Sequence, residues 1–188
     1  MIVKDLLKLG KDQLATKNIE PVEAELLLAH SLGVNRMELH GRVIELTDEQ
    51  EVETKEIYNQ AIAERLTGKP TQYIIGSAPF RYLEYEVGPG VLIPRPETES
   101  LVDEVLHQLN TFADPVSLVD LGSGSGAIAI SIASETAGKK TVHVIAVEKS
   151  EEAITWLERN IAKHDVNVRV VKSDVVTALE GIKCDVVV

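Results

Sequence analysis

From residue 116 onward the chain alternates short β-branched runs with helix-length amphipathic stretches, and that alternation admits few folds. Residues 116–120 read as a buried strand, 126–134 as a helix, 142–147 as a strand, 151–163 as a helix and 167–171 as a strand; 184–188 open a fourth strand. Strands that run parallel need a crossover to bring the chain back, and a helix is the usual one, so this order predicts an open, doubly wound sheet with helices on both faces. No helix follows the last strand to cover it. Parallel sheets are covered on both faces, so the expectation is a truncated product or partial record.

The first 70 residues follow a different period and predict a small helical bundle. Leu6, Leu7, Leu9 and Leu14 share one broad helical face. Pro21 suits a first helical position, and Ala24, Leu27, Leu28 and Ser31 follow at helical spacing until Gly33 stops the run. A short third helix is expected over 36–39. Thr47-Asp48-Glu49-Gln50 has the form of a capping box opening a helix to about residue 67, with Val52, Ile57, Ala61 and Ile62 as its apolar stripe. Between the bundle and the alternating region, 72–75 and 81–87 have strand composition, with Gly76-Ser77-Ala78-Pro79 as the turn. Two strands alone are marginal in water, so a linking hairpin is expected. The domain reading is therefore helices over 1–70, a hairpin linker over 71–90, and the first half of a Rossmann-like sheet over 91–188. A proline-stiffened segment, Ile93-Pro94-Arg95-Pro96, leads into a helix over 97–109 with Leu101, Val102, Val105, Leu106 and Leu109 on its apolar face.

Charge narrows the function. The formal charge is −11, and it is spread: residues 1–71 carry 9 basic and 13 acidic side chains, residues 72–188 carry 10 and 17. Neither half has the basic field that a phosphate backbone selects, so a direct nucleic-acid partner is not expected. Cys184 is the single cysteine, which excludes an internal disulfide and a thiolate zinc cluster. The five histidines lack metal-ligand spacing, so no metal is expected. With no secretory signal and no apolar run of spanning length, the expectation is a cytoplasmic protein without a membrane partner, and a monomer. Cys184 reads as a small buried hydrophobe, and Trp156 as core or partly covered packing.

The chemistry concentrates in Asp120-Leu121-Gly122-Ser123-Gly124-Ser125-Gly126, between a strand and a helix. Glycines there let the backbone turn sharply and let a ligand approach main-chain N–H groups at a helix N-terminus. The loop alone is compatible with a dinucleotide as well, since Gly122, Gly124 and Ala127 fit a loose G-x-G-x-x-A pattern. Glu148 closes the second strand, where a carboxylate accepts ribose hydroxyls; this serves NAD and S-adenosylmethionine equally. Asp120 discriminates. A pyrophosphate disfavours a carboxylate beside it, whereas the ammonium and sulfonium of S-adenosylmethionine favour one. As purely structural groups, Glu148 would be a solvated strand end and Asp120 a helix-turn acid held by backbone N–H groups. Asp174 ends the third strand, positioned to accept from an adenine amino group with Val175 over the ring face, or to cap a short helix through Leu179.

The chain resembles, throughout its length, the glutamine methyltransferases of peptide chain release factors (PrmC/HemK). Gly68-Lys69-Pro70-x-x-Tyr73-Ile74-x-Gly76 is similar to the family's interdomain stretch. Leu92-Ile93-Pro94-Arg95-Pro96-Glu97-Thr98-Glu99 is similar to its most distinctive segment, and residues 120–129 resemble its cofactor loop; Arg159-Asn160 and Ser173-Asp174 also match. Glu148 stands where relatives often have Asp. The resemblance implies an N-terminal helical domain that helps recognise the release factor, a hairpin linker and a class I methyltransferase domain. It implies methyl transfer from S-adenosylmethionine to the side-chain amide nitrogen of the Gln in the Gly-Gly-Gln tip of class-I release factors. Gly122, Ser123, Gly124, Ser125 and Gly126 would hold the methionine portion, Glu148 the ribose, and Asp174 with Val175 the adenine. The family's catalytic Asn-Pro-Pro-Tyr would follow Val188, so no catalytic residue is assigned and the chain as given is expected to be inactive. Arg95 and Glu97 would line the target entrance or form a salt-bridged linker. The alternatives are an NAD-dependent oxidoreductase and a non-enzymatic protein-binding module.

Overall fold

The computed structural model describes residues 2–41, 44–175, 177 and 183–188. The chain divides into two units, Met1–Ile75 and Gly76–Val188.

The first unit holds five helices among its described residues: α1 (Ile2–Ala15), α2 (Pro21–Leu32), α3 (Glu38–Gly41), α4 (Asp48–Leu66) and α5 (Thr71–Ile75). Local signals place most of their ends. Pro21 opens α2, and Gly33, left-handed at φ 65°, closes it by donating its N–H to the Ala29 and His30 carbonyls. The capping box of α4 is complete: the Gln50 N–H donates to Thr47 Oγ1 at 3.3 Å, and the Thr47 N–H donates to Gln50 Oε1 at 3.0 Å. The core is Leu6, Leu14, Ala24, Leu27, Leu28, Tyr58, Ala61 and Ile62. Two apolar stripes differ from the sequence expectation. Leu9 faces outward, and Gly10 takes its place because the Tyr58 ring packs there; a Cβ on Gly10 would overlap the Tyr58 hydroxyl. On α4, Val52 and Ile57 are exposed, while Thr54 and Tyr58 turn inward. Tyr58 then anchors the bundle by donating its hydroxyl to the Ala24 carbonyl at 3.3 Å. Helix α3 begins two residues later than expected.

Residues 72–75, expected as a strand, form α5. The Pro70 carbonyl accepts N–H groups from Tyr73 and Ile74, Thr71 donates to Glu23, and Ile74 and Ile75 pack against the helical core. Tertiary burial overrides the β-propensity of the side chains.

The second unit begins with an antiparallel hairpin, β1 (Ser77–Phe80) and β2 (Leu83–Glu86). Residues 76–79, expected as the turn, are therefore mostly strand, and the turn falls at Arg81-Tyr82. Arg81 holds φ +52° there. Its guanidinium pairs with Glu135 and Asp103 and donates to the Glu99 carbonyl, which offsets the cost of the left-handed backbone. A 3-10 turn (Pro96–Thr98) leads into α6 (Glu99–Leu109), whose buried face is Val102, Val105 and Leu109; Leu101 is exposed.

Next come β3 (Val116–Leu121), α7 (Ala127–Thr136), β4 (Val142–Glu148), α8 (Glu151–His164), β5 (Val168–Lys172) and β6 (Val186–Val187). The sheet order is β5-β4-β3-β6, all parallel. From β3 the chain steps outward to β5, then returns to add β6 on the other side of β3. The direction of winding reverses beside β3, and ligands of such sheets bind at that crevice, outside the carboxyl ends of the strands. Cys184 is half-buried against the Val119 and Val147 cluster rather than fully enclosed, because the short β6 lies at the sheet edge. Trp156 is partly covered, its indole N–H donating to the Pro89 carbonyl at 3.1 Å.

Candidate functional site

The carboxyl ends of β3, β4 and β5 converge on a cleft of about 340 Å³ lined by Gly122, Val147, Glu148, Lys149, Ser173, Asp174 and Val175. Three segments distant in sequence meet here, each immediately after a strand. Sequence reasoning named four of the seven: Gly122, Glu148, Asp174 and Val175.

The glycine loop owes its shape to three left-handed residues, Gly122 (φ 77°), Gly124 (φ 55°) and Gly126 (φ 85°). Their surroundings differ. A Cβ on Gly122 would meet nothing within 4 Å, whereas one on Gly126 would lie 2.6 Å from both Ile130 Cδ1 and Leu157 Cδ1. Gly126 thus lets α7 and α8 pack closely, and Gly122 leaves open space beside the cleft. The Gly122 and Ser123 N–H groups donate to the Val147 carbonyl at 2.8 and 3.0 Å, which ties the loop to β4. Ser123 and Ser125 are buried inside the loop.

Asp120 lies beneath this loop, 2% exposed, and does not line the cleft. Its carboxylate accepts the Ala129 N–H in the first turn of α7 at 3.2 Å. That is the helix-turn arrangement, and it leaves a charge with no cation among its named partners. Burial pushes the Asp120 carboxyl up to about 6; hydrogen bonds from Ser123 and Ala129 oppose the rise, and the charge of Glu148 adds to it. The unfolded chain releases this proton near pH 4 and the folded chain near 6. Between those values the native state binds more protons, so stability falls as pH rises through the window, by about 2–3 kcal/mol. Asp120→Asn keeps an oxygen acceptor for Ala129 and removes the titration. Urea unfolding should find it equal to the parent at pH 4 and more stable by about that amount at pH 7; parallel pH profiles would refute the assignment.

Glu148 reaches further than a ribose acceptor needs to. One oxygen, Oε2, accepts the Gly124 N–H at 2.9 Å; the other, Oε1, accepts Lys149 N–H at 2.7 Å and Ser150 N–H at 2.9 Å. Asp174 accepts the Thr177 N–H at 3.0 Å and hydroxyl at 3.1 Å, with Lys149 Nζ 3.9 Å away, and Val175 beside it is 54% exposed. The short helix expected through Leu179 lies outside the described residues. Arg95 and Glu97 are both exposed, and neither forms an ion pair among the described residues.

One residue of consequence escaped the sequence reading of the site. Asn160, fully buried on α8, accepts the Glu86 N–H at 2.7 Å and donates to the Glu86 carbonyl at 3.0 Å and the Ser125 carbonyl at 3.0 Å. It serves as a strand partner for β2 and a brace for the loop. Tyr85 adds to the same junction, donating to the Ala127 carbonyl at 3.2 Å and sharing a 2.8 Å bond with Ser131. Only the pairing of Arg159-Asn160 in the resemblance pointed to this position.

Among the described residues no helix is long and apolar enough to cross a membrane, and no group of three His, Cys, Asp or Glu side chains could hold a metal ion.

Residues 5–76 match the PrmC N-terminal domain, and residues 100–188 match the methyltransferase small domain. The release factor glutamine methyltransferase of Bifidobacterium longum is 38% identical over 167 residues, covering 87% of this chain and 55% of the relative. That of Streptomyces coelicolor is 40% identical over 158 residues, covering 83% and 52%. That of Chlorobaculum tepidum is 38% identical over 186 residues, covering 94% and 60%. The chain therefore spans little more than half the length of these relatives. Among solved structures, the Pyrococcus abyssi tRNA (uracil-54, C5)-methyltransferase in complex with S-adenosyl-L-homocysteine matches at a TM-score of 0.46 and 18% identity, over 59% of this chain and 26% of that one.

Proposed function

We propose that this chain, which carries the PrmC N-terminal domain and a methyltransferase small domain and resembles the release factor glutamine methyltransferases, serves the same reaction. The reaction is methyl transfer from S-adenosylmethionine to the side-chain amide of the Gly-Gly-Gln glutamine of a class-I release factor. The observation that supports this most is the cleft itself: an open glycine turn and two strand-end carboxylates around one crevice, with a buried acid below.

The residues present suit the cofactor. The open space at Gly122 admits a ligand against the backbone, Glu148 offers carboxylate oxygens to ribose hydroxyls, and Asp174 offers them to an adenine amino group. Val175 contributes apolar surface for the purine, with less area than an aromatic side chain would give. When bound, the cofactor supplies an electrophilic methyl group on a sulfonium. Asp120, ionised at neutral pH and screened from water, sets a negative potential below the loop that favours a ligand with a cationic end. A dinucleotide would bring its pyrophosphate against that charge, and the relatives that match are methyltransferases, so the nicotinamide alternative is not favoured. What these residues do is bind and orient; positioning the methyl group in line with an incoming amide nitrogen lowers the barrier through proximity.

The test is transfer of labelled methyl from S-adenosylmethionine to a class-I release factor, by a polypeptide of the relatives' full length that contains these 188 residues. Label on the Gly-Gly-Gln glutamine, located by peptide mass spectrometry, is the expected result. Its absence from that residue would overturn the substrate assignment.

A further inference from the structure

One face of α8 holds the segment that leads from the hairpin to the glycine loop. His164, Asn160, Trp156 and Glu152 stand four residues apart, and in that order they meet residues 84, 86, 88–89 and 90. His164 Nε2 lies 3.1 Å from the Glu84 carbonyl, and Asn160 bonds both backbone groups of Glu86. The Trp156 indole N–H donates to the Pro89 carbonyl, and a Cβ on Gly88 would lie 2.4 Å from Trp156 Cζ2. A Cβ on Gly90 would lie 2.7 Å from Glu152 Cβ. Four helical residues advance about 6 Å and two extended residues about 6.6 Å, so the segment keeps step with the helix as it runs antiparallel to it. Arg159 adds to the hold, its Cζ 5.0 Å from the indole centroid and its Nε 3.6 Å from Glu86. At Gly88 the chain turns. The Val91 N–H donates to the Gly88 carbonyl at 3.4 Å, with Pro89 and the left-handed Gly90 (φ 91°) in the two central positions, as a type II turn requires. The turn brings Val91, 4% exposed, to the glycine loop: a Cβ on Gly124 would find Val91 Cγ2 as its nearest atom from outside the loop, at 3.9 Å.

We propose that Trp156 is a positioning residue for the amino-acid end of the ligand: it holds the Gly88–Val91 turn on α8, and the turn seats Val91 against Gly124. The inference rests on the cofactor reading above, in which residues 122–126 take the methionine portion. A glycine has no side chain to restrict it, so the order of Gly124 depends on what packs against it. With Val91 displaced, the loop has to be ordered as the ligand arrives, and affinity falls by that cost. The ribose and adenine acceptors keep their places without the turn. Glu148 is held by the Lys149 and Ser150 N–H groups that follow it, and Asp174 by Thr177.

Isothermal titration of the full-length polypeptide that contains these residues tests this, at a temperature where each variant keeps the circular dichroism of the parent. Adenosylhomocysteine carries the amino-acid end, and methylthioadenosine has the same ribose and adenine without it. Trp156→Leu and Val91→Ala should each weaken adenosylhomocysteine about tenfold, the order expected when one more backbone residue is ordered on binding, and leave methylthioadenosine within about twofold. The double variant should lose no more than either single one, because Trp156 acts through Val91. Trp156→Phe keeps a ring on Gly88 and loses only the bond to Pro89; it should show a smaller loss in the same ligand, and it carries the test if the leucine variant does not fold. Both ligands weakened alike, neither weakened, or losses that multiply in the double variant overturn the proposal and leave the cofactor reading intact. Failure of the parent to bind adenosylhomocysteine overturns the cofactor reading and the proposal with it.

Discussion

Gly126→Val is expected to destabilise the unit of residues 76–188 by about 2–5 kcal/mol and to abolish adenosylhomocysteine binding with it. Two costs add. A β-branched residue held at φ 85° is strained by about 1–2 kcal/mol. Its side chain would also be driven into Ile130 and Leu157, each 2.6 Å from the new Cβ, and such overpacking costs about 1–3 kcal/mol. Both neighbours are fully buried at the α7–α8 contact, so their terminal methyls have to repack to admit the new side chain. Gly122→Val is the matched comparison. It carries the same backbone strain at φ 77° but meets nothing within 4 Å, so its stability loss should be limited to the strain alone. Its side chain instead occupies the open space beside the cleft, and ligand affinity should fall at least as far as in Gly126→Val. Urea midpoints and ligand titrations of the two variants separate the roles. If Gly122→Val bound adenosylhomocysteine as tightly as the parent, the loop would not be the ligand's seat.

Asn160→Leu should be comparably damaging, at about 4 kcal/mol. The substitution preserves volume and apolar packing, so its cost isolates the hydrogen bonds. The Ser125 carbonyl, in a buried bond, and the half-buried Glu86 N–H and carbonyl lose their partner together; an unsatisfied buried group costs about 1–3 kcal/mol, and the half-buried pair falls at the low end of that range. Asn160→Asp keeps the bond to the Glu86 N–H but turns a carboxylate oxygen toward two carbonyls, so it should not rescue. Thermal unfolding of both variants checks this. A shift within that of an exposed-site control, such as Lys139→Ala, would show that the three bonds contribute little.

The features that were legible in the sequence are those in which cause and consequence lie a few residues apart. Thr47 and Gln50 cap α4 because each reaches a backbone group three residues away. The three glycines after β3 produce a left-handed loop because only glycine adopts those angles without strain. The sheet strands were found within one or two residues of their ends, since their β-branched runs are bounded by turns on both sides. The misplaced elements share another cause. Residues 72–75 have strand composition yet form α5, because Ile74 and Ile75 gain burial on a helical core that local composition does not encode. Val52 and Ile57 were expected inside and lie outside, because Tyr58 fills the space over Gly10 and fixes the rotation of α4. Arg81 takes a left-handed turn position no arginine prefers, held by acids up to 54 residues away.

The candidate site divides along the same line. Its residue types and their positions at strand ends were determined by the sequence: a glycine loop after the first sheet strand, an acid after the second, an acid and an apolar residue after the third. That order is local, and parallel pairing carries all three ends to one edge of the sheet. Which acid faces the cleft was decided only by the tertiary structure. Asp120 and Glu148 look alike as strand-end carboxylates, yet α7 closes over the first and leaves the second to reach the loop. The brace of Asn160 was likewise decided by packing, since its partners lie 74 and 35 residues distant. The physical reason is range. Backbone preference acts over a few residues, whereas burial and the hydrogen bonds it enforces join groups that only the folded chain brings together.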